Sequence, residues 1–182
     1  MSSHLMNSGQ RLPLGTVTFL FTDIEGSTRL LQHLGDKFAT VIAEHDQLLR
    51  DVWQKYHGSV VGTQGDSFFV AFPRAVDGVN AAIEAQRVLH AHDWTDGVKV
   101  RVRMGLHTGE PQIGASENYV GIDVHRAARI AAAGHGGQIL ISQSTYDLVK
   151  SELPDEAIVQ DLGEHRLKDL RQPKQLYQLV DR

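Results

Sequence analysis

Two aspartates lie at the ends of apolar runs that a fold must bury. Asp23 follows Thr16-Val17-Thr18-Phe19-Leu20-Phe21-Thr22, and Asp66 sits between Ser59–Gln64 and Ser67–Phe72. A buried carboxylate is costly unless a cation neutralises it. Brought together, the two would make a hard, all-oxygen site suited to Mg²⁺ or Mn²⁺. Directly after Asp23, Gly26-Ser27-Thr28 opens a predicted helix. The first turn of a helix holds phosphate through free N–H groups and the helix dipole. Metal and phosphate together point to nucleotide chemistry. Each feature alone also has a plainer reading. Asp23 could cap a helix, Asp66 could be a turn residue, and Gly-Ser-Thr could be an N-cap.

A second constellation lies further along. His125 and Arg129 are four residues apart on a predicted helix, so they share a face. A planar guanidinium suits the charge of a phosphoryl transition state. The alternative is a solvated basic face that includes Arg126.

These residues need elements to position them. Residues 15–22 read as a strand rich in β-branched and aromatic side chains. A short helix over 27–34 stops at Gly35, and a longer helix covers 37–56 with apolar residues at helical spacing. Ser59–Gln64 and Ser67–Phe72 form a hairpin through Gly65-Asp66. A helix over 78–92 and a half-buried strand over 98–107 follow. A loop spans 108–119, then come a helix over 124–133, a strand over 138–142 and a short helix over 143–151. Strands over 159–168 and 175–180 finish the chain. The order, β-α-α-β-β-α-β-α-β-α-β-β, implies an α+β domain with helices packed on a mainly antiparallel sheet.

Bulk properties exclude several classes. The chain has 182 residues, enough for one full core, and its net charge of -4 argues against a nucleic-acid binder, which needs a basic face. It has no cysteine, so neither a disulfide framework nor a thiolate metal site is available. No apolar run is long enough for a membrane helix. No Walker-type loop or nucleophile elbow is present. Residues 1–12 read as a disordered or expression-derived tail, and 13–182 as the folded domain. The simplest compartment is the cytoplasm. The chain ends directly after its last predicted strand, as a domain cut from something longer would.

Three segments together resemble the catalytic domain of class III adenylate and guanylate cyclases. They are Phe-Thr-Asp-Ile-Glu-Gly-Ser-Thr from Phe21, Gly-Asp-Ser-Phe-Phe-Val-Ala-Phe from Gly65, and Gly-Leu-His-Thr-Gly-Glu from Gly105 with Val-Gly-Ile-Asp-Val-His-Arg-Ala-Ala-Arg from Val120. The pattern is similar to bacterial domains fused to ATPase and helix-turn-helix regulators. The resemblance implies a ferredoxin-like core and a head-to-tail homodimer with shared active sites. It implies two Mg²⁺ or Mn²⁺ ions on Asp23, Asp66 and the Ile24 carbonyl, with phosphates on Gly26, Ser27 and Thr28. His125, where the family usually has Asn, and Arg129 are the implied catalytic pair. Lys168 aligns with a triphosphate-binding lysine. At the base-reading positions the chain departs, with Gly62 where adenylate cyclases usually place Lys, and Asn118 in place of Asp or Thr. Gln64 and Asn118 are then the expected base readers, and two amides discriminate poorly between purines. The reading is an adenylate cyclase acting on ATP. Its alternatives are a weakly active or inactive nucleotide-sensing module and a purine-promiscuous enzyme that also takes GTP.

Overall fold

The computed structural model describes residues 11–182. Residues 1–10 of the expected tail lie outside the described residues. Leu12, at the end of that tail, packs against Val17, Phe19 and their neighbours. Among the described residues no helix is long and apolar enough to cross a membrane.

Strand β1 (Val17–Ile24) lies between β3 (Ser67–Phe72) and β4 (Val102–Gly109), antiparallel to both. Strand β2 (Ser59–Gln64) forms the edge beyond β3. The order β2-β3-β1-β4 is the ferredoxin-like arrangement, with helices α1 (Ser27–Leu34) and α2 (Phe38–Lys55) in one crossover and α3 (Ala75–Ala91) in the other. Two short strands, β5 (Gln112–Ile113) and β6 (Tyr119–Val120), form a separate hairpin. Helix α4 (Ile122–Ala132) leads to β7 (Ile139–Ser142), which joins β4 in the sheet's parallel pairing. Helix α5 (Gln143–Val149) precedes β8 (Ala157–His165) and β9 (Lys174–Asp181), which complete a seven-stranded sheet.

Alternation along β1 divides its side chains between two cores. Leu20 and Ile24 face α2 and α3 with Trp53, Phe68 and Phe72. Val17, Phe19 and Phe21 face the other way, with Phe69, Tyr119 and Ala127. Both faces of the central strands are therefore covered, which explains their nearly unbroken apolar sequence.

Several boundaries differ from expectation because a strand is as long as its partner. The strand expected over 98–107 runs instead from Val102 to Gly109. Its β1 partner ends at Ile24, where the chain turns towards α1, and Val100 is buried without joining a ladder. Strand β1 itself continues through Asp23 and Ile24, two residues past the expected end. The expected loop over 108–119 contains the strands of the β5–β6 hairpin. Strand β8 stops at His165, so Lys168 lies in the following turn rather than in a strand.

Candidate active site at the end of the central strands

Asp66 lies in the β2–β3 turn, and its Oδ2 accepts the backbone N–H of Ile24 at 2.9 Å. The turn is therefore tied to the end of β1, next to Asp23. The register of β1 against β3 ends at Thr22–Phe68, so Ile24 has no ladder partner on that side. In an extended strand one residue's N–H and C=O point the same way, so the Ile24 carbonyl also faces the Asp66 turn. The Asp66 carboxylate and the Ile24 carbonyl thus lie at the end of β1 that carries Asp23. Asp23 caps no helix, and Asp66, although a turn residue, also bonds across to the end of β1.

Asp23 has a partner that the sequence did not reveal. Arg103 stands directly opposite it on β4 and donates to both oxygens, Nε to Oδ1 at 2.7 Å and Nη2 to Oδ2 at 2.8 Å. Both side chains are about 30% exposed, at 30% and 29%. Hydrogen bonding to Asp23 pushes the Arg103 pKa up, against the effect of burial, with added pull from Glu25 and Asp66. The guanidinium uses one lone pair on each Asp23 oxygen, and a carboxylate offers about four in all. The remaining capacity, with Asp66 and the Ile24 carbonyl, fits divalent ions of the Mg²⁺ type. Among the described residues no three His, Cys, Asp or Glu side chains cluster as a metal cage. A two-carboxylate site of this kind completes its shell with water and phosphate oxygens.

Asp23 borders a cleft of about 430 Å³ lined also by Phe21, Gly62, Gln64 and Phe69, and by Ala128, Ala131 and Ala132 of α4. Phe21 and Phe69 stack with centroids 4.4 Å apart. A β-bulge at Val60/Gly62 shifts the β2 register where the strand enters this cleft. A second, wider basin begins at Glu25 and Gly26 and includes Arg29, His33 and Lys99. Gly26 starts α1 in a left-handed conformation with no side chain capping the helix. Ser27 and Thr28 occupy the uncapped first turn, where N–H groups lack intrahelical partners.

The remaining expected residues lie elsewhere in the chain. Arg129 donates to Asp169 at 2.7 Å, and His125 is exposed; neither lines the Asp23 cleft. Lys168 is an exposed turn residue beside Asp169, while its neighbour Leu167 packs with Ile130 of α4. The turn that carries Lys168 therefore lies close to Arg129. Asn118 is exposed on the β5–β6 hairpin, its carbonyl accepting Gly114 N–H at 2.9 Å, and does not meet Gln64 within one chain. Asp169 and Arg103 are the two partners that sequence reading missed.

Residues 10–181 match the adenylate and guanylate cyclase catalytic domain family. The chain belongs to that family. The cyclase domain is 41% identical over 169 residues to an uncharacterised protein of Mycobacterium tuberculosis, covering 92% of this chain and 56% of that protein. It thus spans about half the length of that curated relative. Its fold superimposes with a TM-score of 0.82 on a structure of adenylate cyclases from Trypanosoma brucei in their monomeric state. That match is 28% identical and covers 95% of this chain and 93% of the other. The guanylate cyclase domain of RhGC from Catenaria anguillulae, in complex with GTP, shares the fold with a TM-score of 0.80 at 21% identity. That match covers 92% of this chain and 97% of the other.

Proposed function

We propose that this cyclase domain converts ATP to 3′,5′-cyclic AMP and pyrophosphate in sites shared between two copies of the chain. The Asp66–Ile24 hydrogen bond carries the reading, because it brings the second carboxylate to the end of β1 beside Asp23. Asp23, Asp66 and the Ile24 carbonyl would hold two Mg²⁺ or Mn²⁺ ions. When bound, such ions acidify the ribose 3′-hydroxyl and screen the leaving pyrophosphate. The hydroxyl would give its proton to solvent and attack the α-phosphorus in line, the new P–O bond closing the ring as the bond to the β-phosphate oxygen breaks. Gly26, Ser27 and Thr28 would present N–H groups to the β- and γ-phosphates, with Gly26 in the basin that also holds Arg29 and Lys99.

What α4 gives its own cleft supports sharing between chains. Its lining residues are alanines, which cannot neutralise charge on a transferring phosphoryl group. His125, Arg129 and Lys168 would therefore serve the carboxylates of a second copy, with His125 at the ribose, Arg129 at the α-phosphate and Lys168 at the triphosphate. Asn118 would reach the base from the same side and meet Gln64 there. A Mn²⁺-ATP assay for cyclic product tests the proposal, and an inactive wild type or an active Asp66→Ala would overturn it.

A second reading, side activity on GTP, is favoured by Gly62. No cationic side chain lines the cleft to select adenine, and Gln64 can present either a donor or an acceptor. Competition between ATP and GTP for cyclic product measures this directly.

A further inference from the structure

A buried polar cluster lies under the first turn of α4, outside the carboxylate cleft. His107 of β4 is 7% exposed, and its Nε2 is 2.7 Å from Asp123 Oδ1. An ionised carboxylate only accepts, so Nε2–H donates to Asp123. On the other side of the ring, Nδ1 is 2.8 Å from the Ser142 hydroxyl. Ser142 Oγ lies 3.3 Å from Thr145 Oγ1, which is 2.9 Å from Thr108 Oγ1, itself 2.9 Å from Thr18 Oγ1. The chain of groups ties α4 to β4, β7, α5 and β1.

The charges around this pair come from several elements. Burial lowers the His107 pKa against the pull of Asp123, and Arg126 and Lys174 lower it further. Burial raises that of Asp123, yet His107 and Arg126 outweigh it and hold the carboxyl below its usual range. Asp123 also accepts from Arg126 at 3.1 Å.

The geometry around α4 shows what the pair does. The helix starts at Gly121 without a side-chain cap, and Asp123 turns inward to His107. A Cβ at Gly109 would lie 2.3 Å from Asp123 Cγ, and one at Gly105 would lie 2.3 Å from the Ala131 nitrogen. The helix therefore rests on β4 at both ends through contacts that only glycine permits. Such contacts fix distance but are weakly directional. The His107–Asp123 hydrogen bond supplies direction at the end nearest His125.

We propose that His107 and Asp123 are positioning residues that fix the rotation of α4 on β4 and so aim His125 and Arg129 at the nucleotide. The proposal rests on the cyclase reading above. Losing the bond frees the helix to turn by a small angle while the core stays packed. A misplacement of about 1 Å at a catalytic group costs roughly a hundredfold in rate.

The test compares Asp123→Ala, which removes the acceptor, with Asp123→Asn, which keeps an oxygen in place. In a Mn²⁺-ATP assay of the full chain, Asp123→Ala is expected to lower kcat about tenfold to a hundredfold with KM within about twofold. Asp123→Asn is expected to recover kcat to within about threefold of wild type. Asp123→Ser, too short to reach His107, stands in for alanine if that variant does not fold. Amide hydrogen exchange adds a readout that needs no turnover. Residues 125–129 should exchange faster in the alanine variant, while 104–106 of β4 stay unchanged. An inactive wild type sinks the cyclase reading and leaves the exchange result to decide the positioning. Unchanged exchange in α4, an alanine variant within about twofold of wild-type kcat, or an asparagine variant as impaired as alanine would each overturn the proposal.

Discussion

Asp23 and Arg129 are both partly exposed charges, but their surroundings differ. Asp23 is gripped by both arms of Arg103, from a strand paired with its own, and Asp66 is tied down by a backbone N–H. Arg129 has one bond, to a carboxylate whose side chain is 64% exposed, and Lys168 sits beside it in a turn. The carboxylate half is organised by its own sheet. The cationic half is organised only as far as its helix is, with Arg129 held by a single exposed ion pair. Such a division suits a site that assembles when two copies meet, because each copy carries one prepared half and one adaptable half.

The largest effect should come from the prepared half. Asp66→Ala removes a proposed metal ligand and the bond to Ile24, and cyclic-nucleotide formation is expected to fall by about a thousandfold or more, measured with Mn²⁺ and ATP. Melting checks that the fold survives.

Mixing chains tests the division itself. Asp23→Ala and Arg129→Ala should each be nearly silent. An equimolar mixture with random pairing should regain about a quarter of wild-type activity, since half the dimers hold one intact site of two. No recovery would break the comparison, because both halves would then act within one chain.

Arg103 sharpens the comparison from within the prepared half. Arg103→Ala should leave the Asp23 carboxylate free to rotate, lowering kcat about tenfold to a hundredfold in the same assay. Arg103→Lys cannot restore the two-armed grip and should rescue only part of that loss.

Acid should lower the stability of the fold through the burial of His107. His107 has a folded pKa below the ordinary 6.5. The unfolded chain therefore binds this proton more readily, and the neutral ring's contribution to stability is fully present above about pH 6.5 and lost as pH falls below it. Melting temperatures measured from pH 8 down to 5 should decline at the acid end, and less so in His107→Gln.

The smallest effect belongs to Asp169→Ala. The Arg129–Asp169 pair is exposed, so stability should change by no more than about 1 kcal/mol in chemical denaturation.

Most of the architecture was legible because apolar spacing and turn residues carry it. The βαββαβ order, the Gly65-Asp66 hairpin and α4 all follow from local pattern. The placing of Asp66 near the end of β1 agrees with the sequence pattern, in which both aspartates sit at the ends of apolar runs. Arg103 was not legible. Along its own strand it alternates with Val102 and Met104 like any solvent-facing residue, and only the register against β1 puts it opposite Asp23. Asp169 was hidden for a similar reason, since its contact to Arg129 spans 40 residues. The anchor of α4 escaped because a lone histidine in a strand looks the same whether it meets a carboxylate or packs in the core. Strand ends near 98–101 were misjudged because alternation continues past the point where a partner strand exists.

The alanine face of α4 has one more consequence. Ala128, Ala131 and Ala132 wall the cleft with methyl groups, which have no side-chain torsion to swing aside or fold inward. On that wall the aperture is set by how far the helix stands from the sheet, a spacing held at Gly105 and Ala131. Admission of a ligand is therefore gauged there by backbone separation, and a bulkier residue at Ala128 would narrow the gap.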